Sequence, residues 1–229
     1  MRARTATSRG AAALGALLLA WGCAACGPVE IQPGASGSGT PEASGGSPEP
    51  GASGGARDAL DALTVRAPGT MDGYARDRFP HWSDQGDRCD TRDVVLRRDG
   101  EDVRTDDDCE PVSGTWRSPY DDGVWTDDSD VDIDHMVPLA EAWRSGARSW
   151  DDERREAFAN DLSRPQLFAV TDEVNQAKGD SPPDEWKPER RSSWCTYAQQ
   201  WITVKAHYDL SVTRDEKDAL EGMLDSCAR

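Results

Sequence analysis

The chain has 229 residues, and 43 Asp and Glu residues against 26 Lys and Arg residues give it a formal net charge of −17 at pH 7. This acidity argues against a protein that binds nucleic acid through a broad basic surface, because such binding depends on clustered Lys and Arg. The chain has nine tryptophans, and the eight that follow residue 80 are expected to supply much of a single core, in one domain of ordinary size.

The first 26 residues have the layout of a secretory signal. Arginines within the first nine residues precede the apolar run 11–21, and small residues then surround Cys23 and Cys26. The apolar run is too short for a membrane-spanning helix, which needs about 20 residues. The pattern therefore predicts export. Two outcomes stay open: lipidation of one of the two cysteines, which holds the protein on the outer face of the membrane, and simple cleavage with release.

Residues 27–56 are predicted to form a disordered tether. Glycine, serine and proline make up most of the stretch 33–56, and almost nothing in it is apolar. A chain of this composition buries too little apolar surface to fold. The folded domain is therefore predicted to cover residues 57–229.

Two helices are predicted near the C-terminus. Aromatic and aliphatic residues recur at spacings of three and four over Ser192–Tyr208, as on one face of a helix. A second helix is expected after Thr213, because Glu216 three residues later completes a capping box. A short turn joins the two helices, so they are expected to form an antiparallel hairpin.

This hairpin predicts the disulfide pairing. Cys195 and Cys227 lie at equal distances from the connecting turn, so the hairpin brings their thiols together. Cys89 and Cys109 are then left as the second pair of the exported domain, and export to an oxidising compartment favours both bonds. The alternative of a structural zinc bound by four thiolates lacks any Cys-x-x-Cys spacing.

The chemistry is concentrated at Asp134 and His135, which end a predicted short strand Asp130–His135. An adjacent carboxylate and imidazole, with the carboxamide of Asn175 forty residues later, are the groups needed to hold one hard divalent cation beside a general base. This combination indicates hydrolysis of a phosphodiester.

The surrounding elements are predicted to follow the order strand, excursion, strand, helix. A helix is expected from Pro138 to about Ser145, and another over Asp151–Asp161. Leu167–Thr171 has the length and composition of a buried strand. Asn175 then lies at or near the start of a further helix, which ends before Gly179.

These segments resemble a known family. D-I-D-H-M-V-P-L, L-F-A-V and N-Q-A-K-G-D are similar to the motifs of HNH nucleases, whose ββα-metal core presents a base from a strand and a metal ligand from a helix. The closer resemblance is to the C-terminal nuclease domain of GmrSD restriction enzymes and of secreted actinobacterial proteins. It covers roughly residues 72–229 and includes G-Y-A-R-D-R-F and C-D-T-R-D-V-V-L. The resemblance implies an α+β fold, in which helices and a C-terminal helical hairpin surround the ββα-metal core.

The resemblance also implies roles for individual residues. His135 would activate the attacking water, while Asp134 and Asn175 would bind Mg²⁺, for which Mn²⁺ can substitute. Lys178 is a candidate phosphate contact in the catalytic site, with capping of the helix end as the alternative.

One position departs from the family pattern. HNH domains usually carry an asparagine just before the second strand, where it orients the catalytic histidine, and this chain has Gln166 there. Three alternatives follow: Gln166 takes over this role, Asn160 does so from upstream, or the backbone alone orients the histidine.

Two functions from different classes follow from the sequence. The favoured one is a secreted or surface-tethered, metal-dependent endonuclease that acts on DNA, with RNA as the alternative substrate, and with little sequence preference. It is expected to be a monomer, to bind nucleic acid weakly and with strong salt dependence, and to contact the membrane only through an N-terminal lipid. The alternative is a non-catalytic envelope lipoprotein that keeps the nuclease fold for binding.

Overall fold

The computed structural model describes the backbone of residues 50–227 and the side chains of residues 54–227. The predicted signal, with Cys23 and Cys26, and the tether up to residue 49 lie outside this range. The α-helices are α1 (Pro50–Ala62), α2 (Thr91–Asp99), α3 (Leu139–Ser145), α4 (Asp152–Ala159), α5 (Asp172–Lys178), α6 (Trp194–His207) and α7 (Arg214–Leu224). The strands are β1 (Asp84–Gly86), β2 (Cys89–Asp90), β3 (Gly100–Thr105), β4 (Pro111–Arg117), β5 (Val124–Trp125), β6 (Val131–His135) and β7 (Leu167–Thr171).

The strands form three small antiparallel sheets in the described part of the chain, with orders β1-β2, β3-β4-β5 and β6-β7. This mixture of helices and small sheets confirms the predicted α+β class. Within residues 54–227, no helix is both long enough and apolar enough to span a bilayer.

Apolar side chains gather in two clusters. The larger one is built by residues of α1, α3, α4, α6 and α7 around the fully buried Trp201. The smaller one joins α2 and β4 to one face of the β6-β7 sheet, and the Trp116 indole donates a hydrogen bond to the carbonyl oxygen of Leu96 at 2.8 Å. The β6-β7 sheet therefore has an apolar face that is packed against α2 and β4.

The opposite face of β6 carries the polar residues. Side chains alternate along a strand, so Val131 and Ile133 point into the smaller cluster while Asp132 and Asp134 point the other way. Helix α5 follows β7 directly and packs on both strands. Two paired strands and one helix thus bring the end of β6 next to α5, as the sequence order predicted.

The C-terminal hairpin has the predicted form. Thr213 accepts a hydrogen bond from the Glu216 backbone, and the Glu216 side chain accepts one from the Thr213 backbone, which makes the capping box. Cys195 is bonded to Cys227, with their Cα atoms 4.9 Å apart. Cys89 is bonded to Cys109, so both predicted pairings are confirmed.

A buried ionic network fastens the hairpin to α3. The Lys205 ammonium lies 2.8 Å from the Glu141 carboxylate and 2.9 Å from that of Glu216, and the Trp201 indole donates a second hydrogen bond to Glu216. Lys205 is fully buried, and its partners explain why a lysine stands on the apolar face of α6. Through Glu141 this network holds the helix that follows the Asp-His pair.

The starts of helices α1 and α5 differ from the predictions, whereas the other predicted helices and strands agree to within two residues at each end. Helix α1 begins at Pro50, inside the predicted tether, because it packs against α6 and α7 and buries Leu60 there. Helix α5 begins at Asp172, so Asn175 lies in its middle rather than near its start. Two acidic residues in the first turn of α5, Asp172 and Glu173, favour this earlier start because they complement the positive end of the helix dipole.

We expect the double substitution Cys195→Ser and Cys227→Ser to lower the free energy of unfolding by ~2–4 kcal/mol, because the bond closes a long loop in the unfolded chain. Urea unfolding of the oxidised protein measures this difference. The far-UV circular dichroism of the variant should remain that of the parent. Equal stability of the two proteins would contradict the structural role assigned to the bond.

Candidate active site

The His135 side chain is buried at the end of β6, with 5% of its surface exposed. Its Nε2 lies 2.9 Å from the carbonyl oxygen of Ala159, at the end of α4. A carbonyl oxygen only accepts hydrogen bonds, so Nε2 carries the hydrogen and Nδ1 keeps its lone pair. The imidazole is therefore held in the tautomer that leaves Nδ1 free to accept a proton.

Aromatic and charged neighbours set the basicity of this ring. The Trp82 indole stacks on it with ring centres 5.8 Å apart, and His81 meets it edge-on at 6.4 Å. The pKa of His135 is lowered to about 3, chiefly by burial. The hydrogen bond to the Ala159 carbonyl opposes this effect, and the nearby Arg76, His81 and Lys178 add to it. His135 is therefore neutral at physiological pH.

The Trp82 backbone adopts φ 61°, in the left-handed region that non-glycine residues rarely enter. This conformation places the indole beside the histidine. Strained backbones of this kind are enriched at functional sites, because the surrounding structure must hold them in place.

The Asp134 carboxylate is buried and has two donors. Lys178 Nζ lies 2.8 Å from one carboxylate oxygen, and the Tyr120 hydroxyl donates to the other at 2.6 Å. The pKa of Lys178 is lowered, because the effect of burial outweighs the opposing effect of the contact with Asp134. Burial also raises the pKa of Tyr120 well above its usual value, so the phenol stays neutral and remains a donor.

Lys178 is fully buried, and its second hydrogen bond goes to the carbonyl oxygen of His135 at 2.9 Å. The structure thus places this lysine between the strand that carries the Asp-His pair and the end of α5. Its side chain has no exposed surface with which to meet a phosphate. The catalytic role suggested for Lys178 stays a prediction, and its structural role is to hold Asp134 and His135.

Asn175 is held by Asp132, which shares a face of β6 with Asp134. The Asn175 amide nitrogen donates to an Asp132 carboxylate oxygen at 3.0 Å, so the amide oxygen is the end left for other partners. Burial raises the pKa of Asp132; the Asn175 hydrogen bond lowers it, and the neighbouring Asp172 raises it again. Asp132 thus fixes which end of the carboxamide is free.

Gln166 is fully buried and acts on the backbone rather than on the histidine ring. Its side-chain oxygen accepts from the Val137 nitrogen at 3.2 Å, and its side-chain nitrogen donates to the Val137 oxygen at 3.0 Å. Asn160 bonds elsewhere, to Ser83, Thr91 and two backbone carbonyls. Three groups were candidates for orienting the His135 ring: Gln166, Asn160 and the backbone. In the structure the ring contacts a backbone carbonyl, that of Ala159, whereas Gln166 binds the backbone just after His135.

Asp134, His135 and Asn175 line one polar pocket of about 120 Å³. Arg76 and Asp180 also line it. Arg76 is exposed and, within residues 54–227, has no carboxylate within ion-pair distance. The pocket therefore combines a neutral imidazole, two carboxylates, a carboxamide and a guanidinium with free donors.

Comparison with known proteins agrees with this geometry. Residues 90–223, more than half of the chain, match the family described as "GmrSD restriction endonucleases, C-terminal domain". The chain belongs to this family. A relative from Arthroderma benhamiae, strain ATCC MYA-4681 / CBS 112371, described as an "Uncharacterized secreted protein", is 59% identical over 172 residues, which cover 75% of this chain and 84% of the relative. No solved structure matches the chain.

Membership of the GmrSD C-terminal family points to an endonuclease, and hence to nucleic acid as the substrate. The secreted relative and the two disulfides fit an extracellular location. The actinobacterial part of the resemblance stays a prediction.

The donors around the pocket are of the kind that a hard divalent cation prefers. Within residues 54–227 no group of three or more His, Cys, Asp and Glu side chains is arranged to hold a metal ion. Mg²⁺ needs no such group, because it takes one or two protein oxygens and keeps several waters. The Asp134 carboxylate and the Asn175 amide oxygen fit that requirement, while the ammonium of Lys178 opposes it electrostatically.

Several residues of this site were not identified from the sequence. Asp132 was detectable, because it stands two residues before Asp134 and strand alternation puts both on one face. Arg76 lies within the motif G-Y-A-R-D-R-F, although nothing local indicates that it reaches the pocket. Tyr120 and Trp82 had no local signal, since tertiary packing alone brings them to the site.

We expect His135 to make the stability of the metal-free protein fall in acid. The folded pKa of about 3 lies below the unfolded value of about 6.5, so this contribution is complete above pH 6.5 and is lost as the pH falls towards 3. The free energy of unfolding of the parent, relative to that of His135→Gln, should fall by about 2 kcal/mol between pH 6.5 and pH 4.5.

Urea unfolding in the presence of a chelator tests this expectation. His207→Gln is the matched control, because His207 is exposed on α6. A pH-independent difference between the parent and His135→Gln would show that the ring is not held neutral.

Proposed function

We propose that this protein is an extracellular, metal-dependent endonuclease that hydrolyses phosphodiester bonds of DNA, with RNA as the alternative substrate, and with little sequence preference. One observation carries the proposal: a neutral His135, fixed in one tautomer, lines the same polar pocket as Asp134 and Asn175. A base, two oxygen ligands for a hard cation and a free guanidinium are the groups that this hydrolysis requires.

His135 is the general base of the proposed reaction. Nε2 is anchored on Ala159, so Nδ1 is the atom that takes the proton from the attacking water. A base with a pKa of about 3 is weak, but an anionic phosphate beside the ring favours the protonated form and raises the pKa when substrate binds. Substrate binding therefore brings the imidazole closer to the basicity that proton transfer needs.

Arg76 is the proposed phosphate contact. A guanidinium offers donors in a planar fork that matches two oxygens of a phosphate, and Arg76 lines the pocket with no carboxylate of the described residues within ion-pair distance. Its charge lowers the pKa of His135 in the free protein, and a bound phosphate would offset that effect.

Asp134 and Asn175 would hold the cation, with Asp132 keeping the Asn175 amide oxygen free. Mg²⁺, or Mn²⁺ in its place, would supply positive charge to stabilise the transition state at the phosphorus. Tyr120 and Lys178 keep the Asp134 carboxylate in position, and each carboxylate oxygen retains a further acceptor site beside those donors. The monomeric state, and lipid attachment at Cys23 or Cys26, belong to the same proposal.

We expect His135→Ala to reduce nicking of supercoiled plasmid in Mg²⁺ by at least about 100-fold, because positioned general bases contribute roughly 10²–10⁴ in rate. A chelator should abolish the activity of the parent. His207→Ala removes an exposed imidazole and should cleave at the rate of the parent. Cutting by His135→Ala at the parental rate, with its fold intact by circular dichroism, would refute the proposed base.

The non-catalytic alternative has one observation in its favour. Lys178 already neutralises the Asp134 carboxylate, as it would in a site that no longer binds a cation. The same plasmid assay separates the two functions, because a binding module cuts no DNA in Mg²⁺ or Mn²⁺. Cation binding can also be tested without turnover.

We expect Lys178→Met to destabilise the metal-free protein by ~3–5 kcal/mol, because it leaves the buried Asp134 carboxylate without its counter-ion. Mg²⁺ should then raise the melting temperature of this variant more than that of the parent, since the cation replaces the missing charge. Lys217→Met, which breaks an ion pair with the exposed Asp61, is the control and should respond to Mg²⁺ as the parent does. Equal Mg²⁺ responses of Lys178→Met and the parent would argue against a cation at Asp134.

A further inference from the structure

A second pocket lies between the C-terminal end of α3 and the segment 66–70, with a volume of about 470 Å³. We infer that this pocket, here called the arginine pocket, binds a backbone phosphate of the nucleic acid strand that occupies the candidate active site. The inference rests on the proposed function and extends it to a second contact on the substrate.

The charge of the arginine pocket is unlike that of the chain. Arg66, Arg144 and Arg148 line it, and none of its described lining residues is Asp or Glu. The whole chain has 43 acidic and 26 basic residues, so a lining with three guanidinium groups and no carboxylate departs from the composition. Arg144 pairs at 3.0 Å with Glu141, which is not a lining residue. Clustered arginines are the groups that recognise a phosphate diester.

Most of the donors of these arginines are unused. A guanidinium has five N–H donors. Arg148 gives one hydrogen bond, to the Thr70 hydroxyl, and Arg66 gives two, to the Ser211 hydroxyl and the Ser145 carbonyl. These partners are neutral, so the charges of Arg66 and Arg148 are not compensated by a carboxylate in the described part of the chain.

Trp143 also lines the arginine pocket. Its side chain is 2% exposed, and its indole nitrogen is buried. The donors offered to a phosphate are therefore those of the arginines.

The wall opposite α3 depends on a glycine. The Gly69 nitrogen donates to the Arg144 carbonyl oxygen at 2.8 Å, and a Cβ atom at residue 69 would lie 2.9 Å from that oxygen. A side chain there would push segment 66–70 away from α3. The close approach keeps Arg66 and Arg148 on the same pocket.

Arg144 connects the arginine pocket to the candidate active site. Its guanidinium donates to the Asp180 carbonyl oxygen at 2.7 Å, and Asp180 lines the pocket that contains His135. A strand whose scissile phosphate lies beside His135 can therefore continue past Arg144 into the arginine pocket. On the far side, the neighbouring cavity is lined by Asp151 and Asp209 together with Arg66 and Arg154, so the lining there is mixed in charge.

Binding without turnover tests the inference. A fluorescein-labelled single-stranded oligonucleotide is titrated with the full chain in the His135→Ala background, in chelator and at low salt, with anisotropy as the readout. Arg148→Gln should weaken binding by roughly three- to tenfold and reduce the slope of log K against log salt by about one, because one phosphate contact is lost. Arg148 is exposed and makes a single hydrogen bond, so this variant should fold normally.

Arg104→Gln is the matched control, because it removes the same charge from an exposed position on β3. Equal affinities of Arg148→Gln and Arg104→Gln would overturn the inference. Binding of inorganic phosphate, measured by calorimetry, gives a second comparison. If Arg148→Gln weakened phosphate binding but not oligonucleotide binding, the inference would also fail, because the pocket would then serve a free anion.

Cleavage assays give an independent readout in the protein with His135 present. Arg148→Gln should lower kcat/KM for an oligonucleotide and leave hydrolysis of bis(p-nitrophenyl) phosphate unchanged, because the small diester does not reach the arginine pocket. Equal losses on both substrates would contradict the assignment. If the parent cuts nothing in Mg²⁺ or Mn²⁺, the proposed function fails, yet the anisotropy comparison still decides whether the arginine pocket binds a strand.

Discussion

The buried ion pair between Asp134 and Lys178 is the interaction on which the candidate site depends. It joins the end of β6 to the last residue of α5, and the same ammonium also holds the carbonyl of His135. A buried charge is costly unless it is paired and hydrogen-bonded. Moving β6 away from α5 would separate the two charges, so the ion pair keeps the strand and the helix at one distance. The proposed base and both proposed metal ligands lie on these two elements. Their arrangement is therefore set by an interaction that involves no substrate.

Burial gives His135 its order and also limits its basicity. The packing that holds the ring against Trp82 and the Ala159 carbonyl removes water, and the loss of hydration lowers the pKa of the imidazole. A base in this state is fixed in tautomer and orientation before substrate arrives, but it needs an anion nearby to become effective. In this site the phosphate would act both as the reacting group and as the charge that restores basicity, which ties proton transfer to substrate binding.

Local signals in the sequence predicted the features that depend on local structure. The bounds of β7, those of β6 to within one residue, the capping box at Thr213 and both disulfides follow from spacing, periodicity and residue type. Contacts set by tertiary packing were beyond such reasoning. Gln166 occupies the position expected to orient the histidine, yet it binds the backbone of the next segment, and the ring is held from α4. Lys178 offered equal reasons for a phosphate contact and for a helix cap, and no local signal indicated that its ammonium is buried beside Asp134.

The acidity of the chain and its membership of a nuclease family agree once charge is considered locally. The repulsion between an acidic protein and a phosphate is screened by salt beyond about 10 Å at 0.1 M ionic strength. A hydrogen bond from a guanidinium to a phosphate acts in direct contact and is not screened in this way. Composition therefore excludes a broad basic surface without excluding a narrow one. Arg76 in the candidate active site and Arg66 and Arg148 in the arginine pocket lack carboxylate partners among the described residues, and Arg144 spans the wall between the two pockets. A narrow strip of this kind, on a chain of net negative charge, would admit one strand and repel nucleic acid elsewhere on the surface.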